Sequence, residues 1–229
     1  MKTVDVFLPC RKGSERVKDK NTRPIGSYQN GLIEIKLKQL LSSDHVNKIF
    51  LSTNDDSIIE FANSLNEEKI NIHKRSEALS GNETNTDSLI GHVLDLDIPD
   101  EILWTHVTSP FIQASTYNSA IKKYFSVKEK GYDSLMTVSS VHGFLWSQEG
   151  PINYDRSEVK WPRTQTLEEL FEINSGIFIA SREIYKTFSD RIGQNPFLYL
   201  TDKITGFDID WEDDFEIAEA IIKYKKEIA

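Results

Sequence analysis

The stretch Val4-Asp5-Val6-Phe7-Leu8, followed by Pro9-Cys10-Arg11-Lys12-Gly13-Ser14-Glu15-Arg16-Val17-Lys18-Asp19-Lys20-Asn21, decides how the rest of the chain is read. The apolar run predicts a buried first strand. The chain then turns basic, with Arg11, Lys12, Arg16, Lys18 and Lys20 in quick succession. Gly13 and Ser14 allow a tight turn and a close backbone approach. A strand that ends in a glycine-containing basic loop is one way α/β proteins hold phosphate, because backbone N–H groups and cations converge on one anion. On spacing alone, a solvated and disordered basic loop fits as well.

The bulk properties narrow the choice. A chain of 229 residues predicts one α/β domain, 1–229, with a full core and room for one excursion. The net charge is −9 and 28% of residues are charged, which argues against wholesale nucleic-acid binding. A local basic loop in an acidic protein points to a small anionic ligand. One cysteine excludes an intramolecular disulfide framework and suits a reducing compartment. Met1-Lys2-Thr3 runs straight into the first strand, with no separate apolar signal region and no run of transmembrane length. The expectation is a soluble, cytoplasmic protein with no membrane partner.

Apolar periodicity predicts an alternating series. Helices are expected at Gly31–Ser43, Ser57–Ser64, within Thr84–Leu96, and at Ala114–Val127, Arg182–Phe188 and Asp213–Lys226. Strands are expected at Val46–Ser52, Ile70–His73, Glu101–Val107, Tyr132–Ser139, Ser175–Ala180 and Phe197–Thr201. The alternation predicts a three-layer α/β/α sandwich on a mostly parallel, Rossmann-like sheet. Asp55 and Asp56 read as helix caps, as do Thr86 or Asp87. Residues 141–170 are irregular and hold Trp146 and Trp161, which mark either an interface or a segment folded onto its own core.

Ligands of open α/β sheets sit beyond the carboxyl ends of strands. His106, Thr108 and Ser109 are candidates on that ground, with a buried structural His106 as the competing reading. Asp208 and Asp210 are two residues apart, so in an extended segment both carboxylates point one way. They make either a hard-oxygen Mg²⁺ site or the acidic start of a helix.

The blocks together resemble the acylneuraminate (CMP-sialic acid) cytidylyltransferase family. Pro-x-Arg-x-Gly-Ser and then Lys-Asn fall on Arg11, Gly13, Ser14, Lys20 and Asn21. Thr108-Ser109-Pro110, Arg163-Thr164-Gln165, Glu172-Ile173-Asn174 and Asp208-Ile209-Asp210 follow in the family's order. The resemblance implies the fold of nucleotide-diphospho-sugar transferases and coupling of CTP to an acidic nine-carbon 2-keto sugar. It implies nucleotide contacts at Arg11, Gly13, Ser14, Arg16, Lys20, Asn21, Arg75 and Gly81. It implies sugar contacts at His106, Thr108, Ser109, Arg163, Gln165 and Asn174. Arg11, Lys20 and Asp208 are implied as catalytic. Mg²⁺ is implied on Asp208 and Asp210, with Asp213 or Asp214 completing the element. A homodimer through residues 141–170 is implied as well. The chain departs from the pattern at Cys10 (commonly Ala), Gly31 (Pro), His106 (Gln) and Ser175 (Gly). Open alternatives are a different acidic sugar (Kdo, legionaminate or pseudaminate), a glycosyltransferase with an Asp-x-Asp site, and a non-catalytic nucleotide-binding paralogue.

Overall fold

The structure, a computed structural model, describes residues 1–76, 79–81, 85–225 and 228. Thr84 and Lys226, which bound two of the expected segments, lie outside these residues, as do Glu77 and Ala78 of the segment after Arg75.

Among the described residues nine strands form: β1 (Val4–Pro9), β2 (Val46–Thr53), β3 (Ile70–Lys74), β4 (Glu101–Trp104), β5 (Ser134–Val141), β6 (Trp146–Ser147), β7 (Gly150–Pro151), β8 (Leu170–Ser181) and β9 (Pro196–Thr201). Six α-helices accompany them among the described residues: α1 (Gly31–Leu41), α2 (Asp56–Ser64), α3 (Thr86–Asp95), α4 (Ala114–Lys128), α5 (Arg182–Phe188) and α6 (Glu212–Lys225). Seven strands make one sheet in the order β3-β2-β1-β4-β8-β5-β9. Only β8 runs against its neighbours.

Side-chain parity explains the layers. Val6 and Leu8 of β1, Leu103 of β4, and Ile177 and Ile179 of β8 pack with apolar residues of α1, α4 and α6. The alternate residues Phe7, Ile102, Trp104, Phe178 and Ala180 pack on the other face with Ile90 and Val93 of α3 and Tyr185 of α5. Successive strand residues point to opposite faces, so strands apolar at every position need helices on both sides. This is the three-layer sandwich that the sequence predicts.

Several boundaries move for physical reasons. β4 ends at Trp104, because after the bond from Thr105 N to Phe7 O the chain turns away. His106 to Ser109 therefore form a loop at the carboxyl edge of the sheet. β8 is twice the expected length, and its first half pairs with the distal end of β5. That half carries exposed Phe171 and Ile173 around Glu172, a mixed pattern with no buried face to reveal it. The cap of α3 is Asn85, whose side chain accepts from Ser88 N, and not Thr86 or Asp87. Asp55 caps α2 as expected.

Residues 141–170 leave the sheet as the β6–β7 hairpin and a short 3₁₀ turn at Thr164–Thr166. Phe144 packs edge-on against Tyr154 and Trp161, and Arg156 lies over both tryptophan rings. The tryptophans thus join a small cluster of their own, yet Trp146 and Trp161 stay 47% and 65% exposed.

One cation terminates α3. The Arg182 guanidinium donates to the carbonyl oxygens of Leu94, Leu96 and Ile98 at 2.6, 3.1 and 2.7 Å. The last carbonyls of a helix have no partner within it, and a cation there is favoured. Arg182→Ala is expected to lower unfolding free energy by about 2 kcal/mol, read by urea denaturation.

Candidate active site

The first loop is built, not loose. Cys10 N donates to Ser52 O (2.9 Å), extending the β1–β2 ladder. Lys12 N donates to Asn54 Oδ1 at 2.8 Å, and Asn21 Nδ2 donates to Arg11 O at 3.0 Å. Ile33 N of α1 donates to Asn21 O at 3.0 Å, so the loop is anchored to the first helix. Val17 is fully buried beneath it. Gly13 has φ +73°, the left-handed region that a side chain resists. These bonds remove the reading as a solvated, disordered loop.

The loop walls a cleft of about 480 Å³ at the carboxyl edge of the sheet, where α/β ligands bind. The structure gathers Arg11, Gly13, Ser14, Arg16, Lys20 and Asn21 there from the first loop. Arg75 enters from the end of β3, His106 and Thr108 from the end of β4, and Asp208 and Asp210 from the segment before α6. Residues 200 positions apart in sequence thus face one space.

Lys20 is the hinge of this arrangement. Only 8% exposed, it donates from Nζ to Ile209 O at 2.7 Å. Burial lowers its pKa, while the carboxylates of Asp210 and Asp208 oppose that shift. Asp208 is pushed the other way: burial raises its pKa, a Thr108 hydrogen bond lowers it, and Asp210 raises it again. Ser109 Oγ adds a bond to Asp208 Oδ1 at 3.3 Å. Asp210 pairs with Arg16 Nη2 at 2.7 Å, and the Arg16 guanidinium lies over the Trp211 ring.

Asp208 and Asp210 are two carboxylates two residues apart that both line the cleft, a hard-oxygen donor set whose chemistry fits a hard divalent cation. Asp214 is not part of that pair. From the first turn of α6 its Oδ2 accepts from Asp210 N and Trp211 N, as the carboxylate of a capping box does. Among the described residues, no cluster of three or more His, Cys, Asp or Glu could hold a metal. Of the carboxylates in the sequence reading, Asp208 and Asp210 line the cleft, and neither Asp213 nor Asp214 does.

Arg75 is 4% exposed, and its Nε and Nη2 have no hydrogen-bond partner among the described residues. Burial lowers its pKa. A buried cation with open donors is costly unless a ligand meets it.

Other expected residues lie elsewhere. Asn174 does not line the cleft: Nδ2 donates to Ser139 Oγ and Thr201 Oγ1, and Oδ1 accepts from Gly176 N. It ties β5, β8 and β9 together. Its neighbour Ser175 lines the cleft instead, at φ +57°. Ser109 acts from behind Asp208. Gly81 is exposed and outside the cleft lining. Arg163 and Gln165 are exposed on the excursion and do not reach the cleft of their own chain.

Sequence reasoning missed Lys36 and Arg191. Lys36 is fully buried in α1, at a position that reads as one polar residue in an apolar helix. Its Nζ donates to Ser109 O and Tyr117 Oη, both at 2.8 Å. Arg191 sits in a loop held by Asp133, whose Oδ2 accepts from Gln194 N and Asn195 N. No motif marks it.

The comparisons with known proteins follow this geometry. The family model described as "Cytidylyltransferase" matches residues 6–228. The chain is 24% identical to the N-acylneuraminate cytidylyltransferase of Escherichia coli over 97% of this chain and 52% of that protein, so it spans about half the length of that relative. It is 23% identical to the CMP-N,N'-diacetyllegionaminic acid synthase of Campylobacter jejuni, over 94% of this chain and 93% of that one. A solved structure of CMP:2-keto-3-deoxy-manno-octonic acid synthetase complexed with CTP shares the fold with a TM-score of 0.69. It is 14% identical over 98% of this chain and 100% of its own.

Two predictions follow from the site. Burial pushes Lys36 from 10.5 down to about 7, so the folded chain holds fewer protons than the unfolded one between those values. Stability is therefore expected to rise with pH across about 7 to 10, and Lys36→Met is expected to remove that part of the slope in urea titrations. Ser175→Gly is expected to raise unfolding free energy by about 1 kcal/mol by releasing the left-handed strain. The match of the family model to residues 6–228, nearly the whole chain, shows that the chain belongs to the cytidylyltransferase family.

Proposed function

We propose that the chain transfers the cytidylyl group of CTP to the anomeric hydroxyl of an acidic nine-carbon 2-keto sugar, releasing pyrophosphate. The observation that carries this reading is one cleft that gathers Arg11, Arg16, Lys20 and the buried Arg75 together with the carboxylates Asp208 and Asp210. Cations suit a triphosphate, and carboxylates suit the acceptor end.

In this mechanism the first loop binds the triphosphate with Arg11, Arg16, Lys20 and the backbone near Gly13 and Ser14. Arg75 offers its open N–H donors to the acceptor atoms of the cytosine ring. His106 and Thr108 hold the sugar. The anomeric oxygen forms a bond to the α-phosphorus as the bridging bond to the β-phosphate breaks. Asp208 takes the hydroxyl proton, helped by the burial that raises its pKa. Lys20 and Arg11 stabilise charge on the phosphates. Mg²⁺ on Asp208 and Asp210 would supply further neutralisation of phosphate charge.

The homodimer belongs to the same proposal. The excursion and the nearby sheet end expose Trp146, Trp161, Phe171, Ile173 and Leu200. A second copy seated on these residues would cover them, and would carry Arg163 and Gln165 toward a neighbouring cleft. The legionaminate reading stays beside the sialate one, because the synthase for that sugar matches this chain over nearly its whole length.

The test is pyrophosphate release with CTP and Mg²⁺ against N-acetylneuraminate, N,N'-diacetyllegionaminate, pseudaminate, Kdo and no acceptor. Turnover with one nine-carbon acid is expected. CTP binding with silence across the whole panel would sink the catalytic reading. Arg11→Ala is expected to lower kcat by about 10²–10³, and near-normal turnover in that variant would remove the loop from the mechanism.

A further inference from the structure

His106 stands where the chain departs from the pattern that its sequence resembles, and its environment is specific. It lines the cleft, and its Nε2 is taken up by two neighbours. Trp104 Nε1 lies 3.0 Å from that nitrogen and Arg191 Nη1 lies 3.2 Å from it. An indole N–H and a guanidinium can only donate. Nε2 must therefore accept from both, and the single ring proton of a neutral imidazole must be on Nδ1. Among the described residues no group is hydrogen-bonded to Nδ1.

Arg191 is itself held firmly. Its guanidinium lies 3.7 Å from the centroid of Phe178 and 5.1 Å from that of Trp104. Ser134 Oγ accepts from Gly193 N and Asp133 Oδ2 accepts from Gln194 N, which fix the loop that carries it. Tyr185 and Asp190 are its charge neighbours, and the Tyr185 hydroxyl is buried with no partner among the described residues. Around His106 the facing charges are Arg191, Lys36 and Lys20. Burial, and then these cations, push its pKa down to about 3, which keeps the ring neutral.

We propose that Arg191 is a positioning residue: with Trp104 it locks His106 in the Nδ1–H tautomer, so that the sugar side of the cleft presents one fixed N–H donor and selects an acceptor with a carbonyl or carboxylate oxygen at that point. A glutamine at this position would offer both a donor and an acceptor. A histidine locked this way offers only the donor, backed by a half-buried positive charge. The selection rests on the proposed CTP and sugar reading of the cleft; the tautomer does not.

The experiment uses the full chain with ¹⁵N-labelled histidine. NMR couplings to the ring protons report the tautomer, with His106 assigned by the loss of its signals in His106→Gln. The wild type is expected to show Nδ1–H and no protonation between about pH 5 and 8. In Arg191→Met, His106 is expected to populate Nε2–H or to titrate in that window. The KM for the sugar is expected to rise about tenfold, with the KM for CTP unchanged. Arg191→Lys, which keeps a donor and a charge, is expected to restore much of both; if the methionine variant does not fold, the wild-type tautomer decides the lock. An Nε2–H tautomer in the wild type would overturn the lock, with or without turnover. An active wild type whose tautomer and sugar KM are unmoved by both substitutions would overturn the role of Arg191.

Discussion

A buried ammonium holds the two ends of this chain together. Lys20 comes from the loop after the first strand, and the carbonyl and carboxylates around it come from residues 208–210. A lysine at 8% exposure is tolerated only where its charge is answered. The answer here is the Ile209 carbonyl and two aspartates. The aspartates depend on it in turn, since two carboxylates at the sheet edge repel each other and lose hydration. Arg16 on Asp210 repeats the link at the exposed rim, where solvent weakens it. The cleft is therefore the gap between two loops that electrostatics brings together.

That constraint explains why the supporting residues are so fully occupied. Asn21 spends its amide on Arg11 O, and its own carbonyl on α1. Ser109 joins Asp208 on one side and Lys36 on the other. Lys36 reaches Tyr117, whose hydroxyl meets Thr105 Oγ1, and Thr105 bonds Gly176 O on β8. A polar chain thus runs from the cleft floor through α1, α4 and β4 to β8. Every contact in it is a hydrogen bond inside a packed core, where geometry is strict and a lost partner is costly.

Much of this was legible in the sequence, and the reason is periodicity. The strands β1, β2 and β4 are apolar on both faces, and the helices between them show one apolar stripe, so the alternating pattern could be read directly. The loop residues could be read because cations after a buried strand are chemically unusual. What could not be read depends on contacts between distant segments. The outer half of β8 has no buried face, and only its pairing with β5 makes it a strand. Asn174 looked like a ligand because an asparagine in a motif is polar, yet it bonds three partners within the sheet. Asp214 looked like a third carboxylate, but a helix start offers it two N–H groups first. Arg191 acts through a loop fixed by Asp133, 58 positions away, and no local pattern encodes that.

Cys10 shows how a departure from the pattern the sequence resembles can leave the chemistry intact. Its thiol is buried beside Arg75, and burial pushes its pKa up to about 12, so it remains a neutral thiol. A neutral thiol is a weak acceptor and leaves the guanidinium essentially unanswered. Had an aspartate stood there, Arg75 would be an internal ion pair with no reason to face the cleft. With a small apolar-like side chain in that place, the positive charge stays directed at whatever enters. The substitution alters packing by one sulfur atom, while the electrostatic character of the nucleotide side is the same as an alanine would leave it.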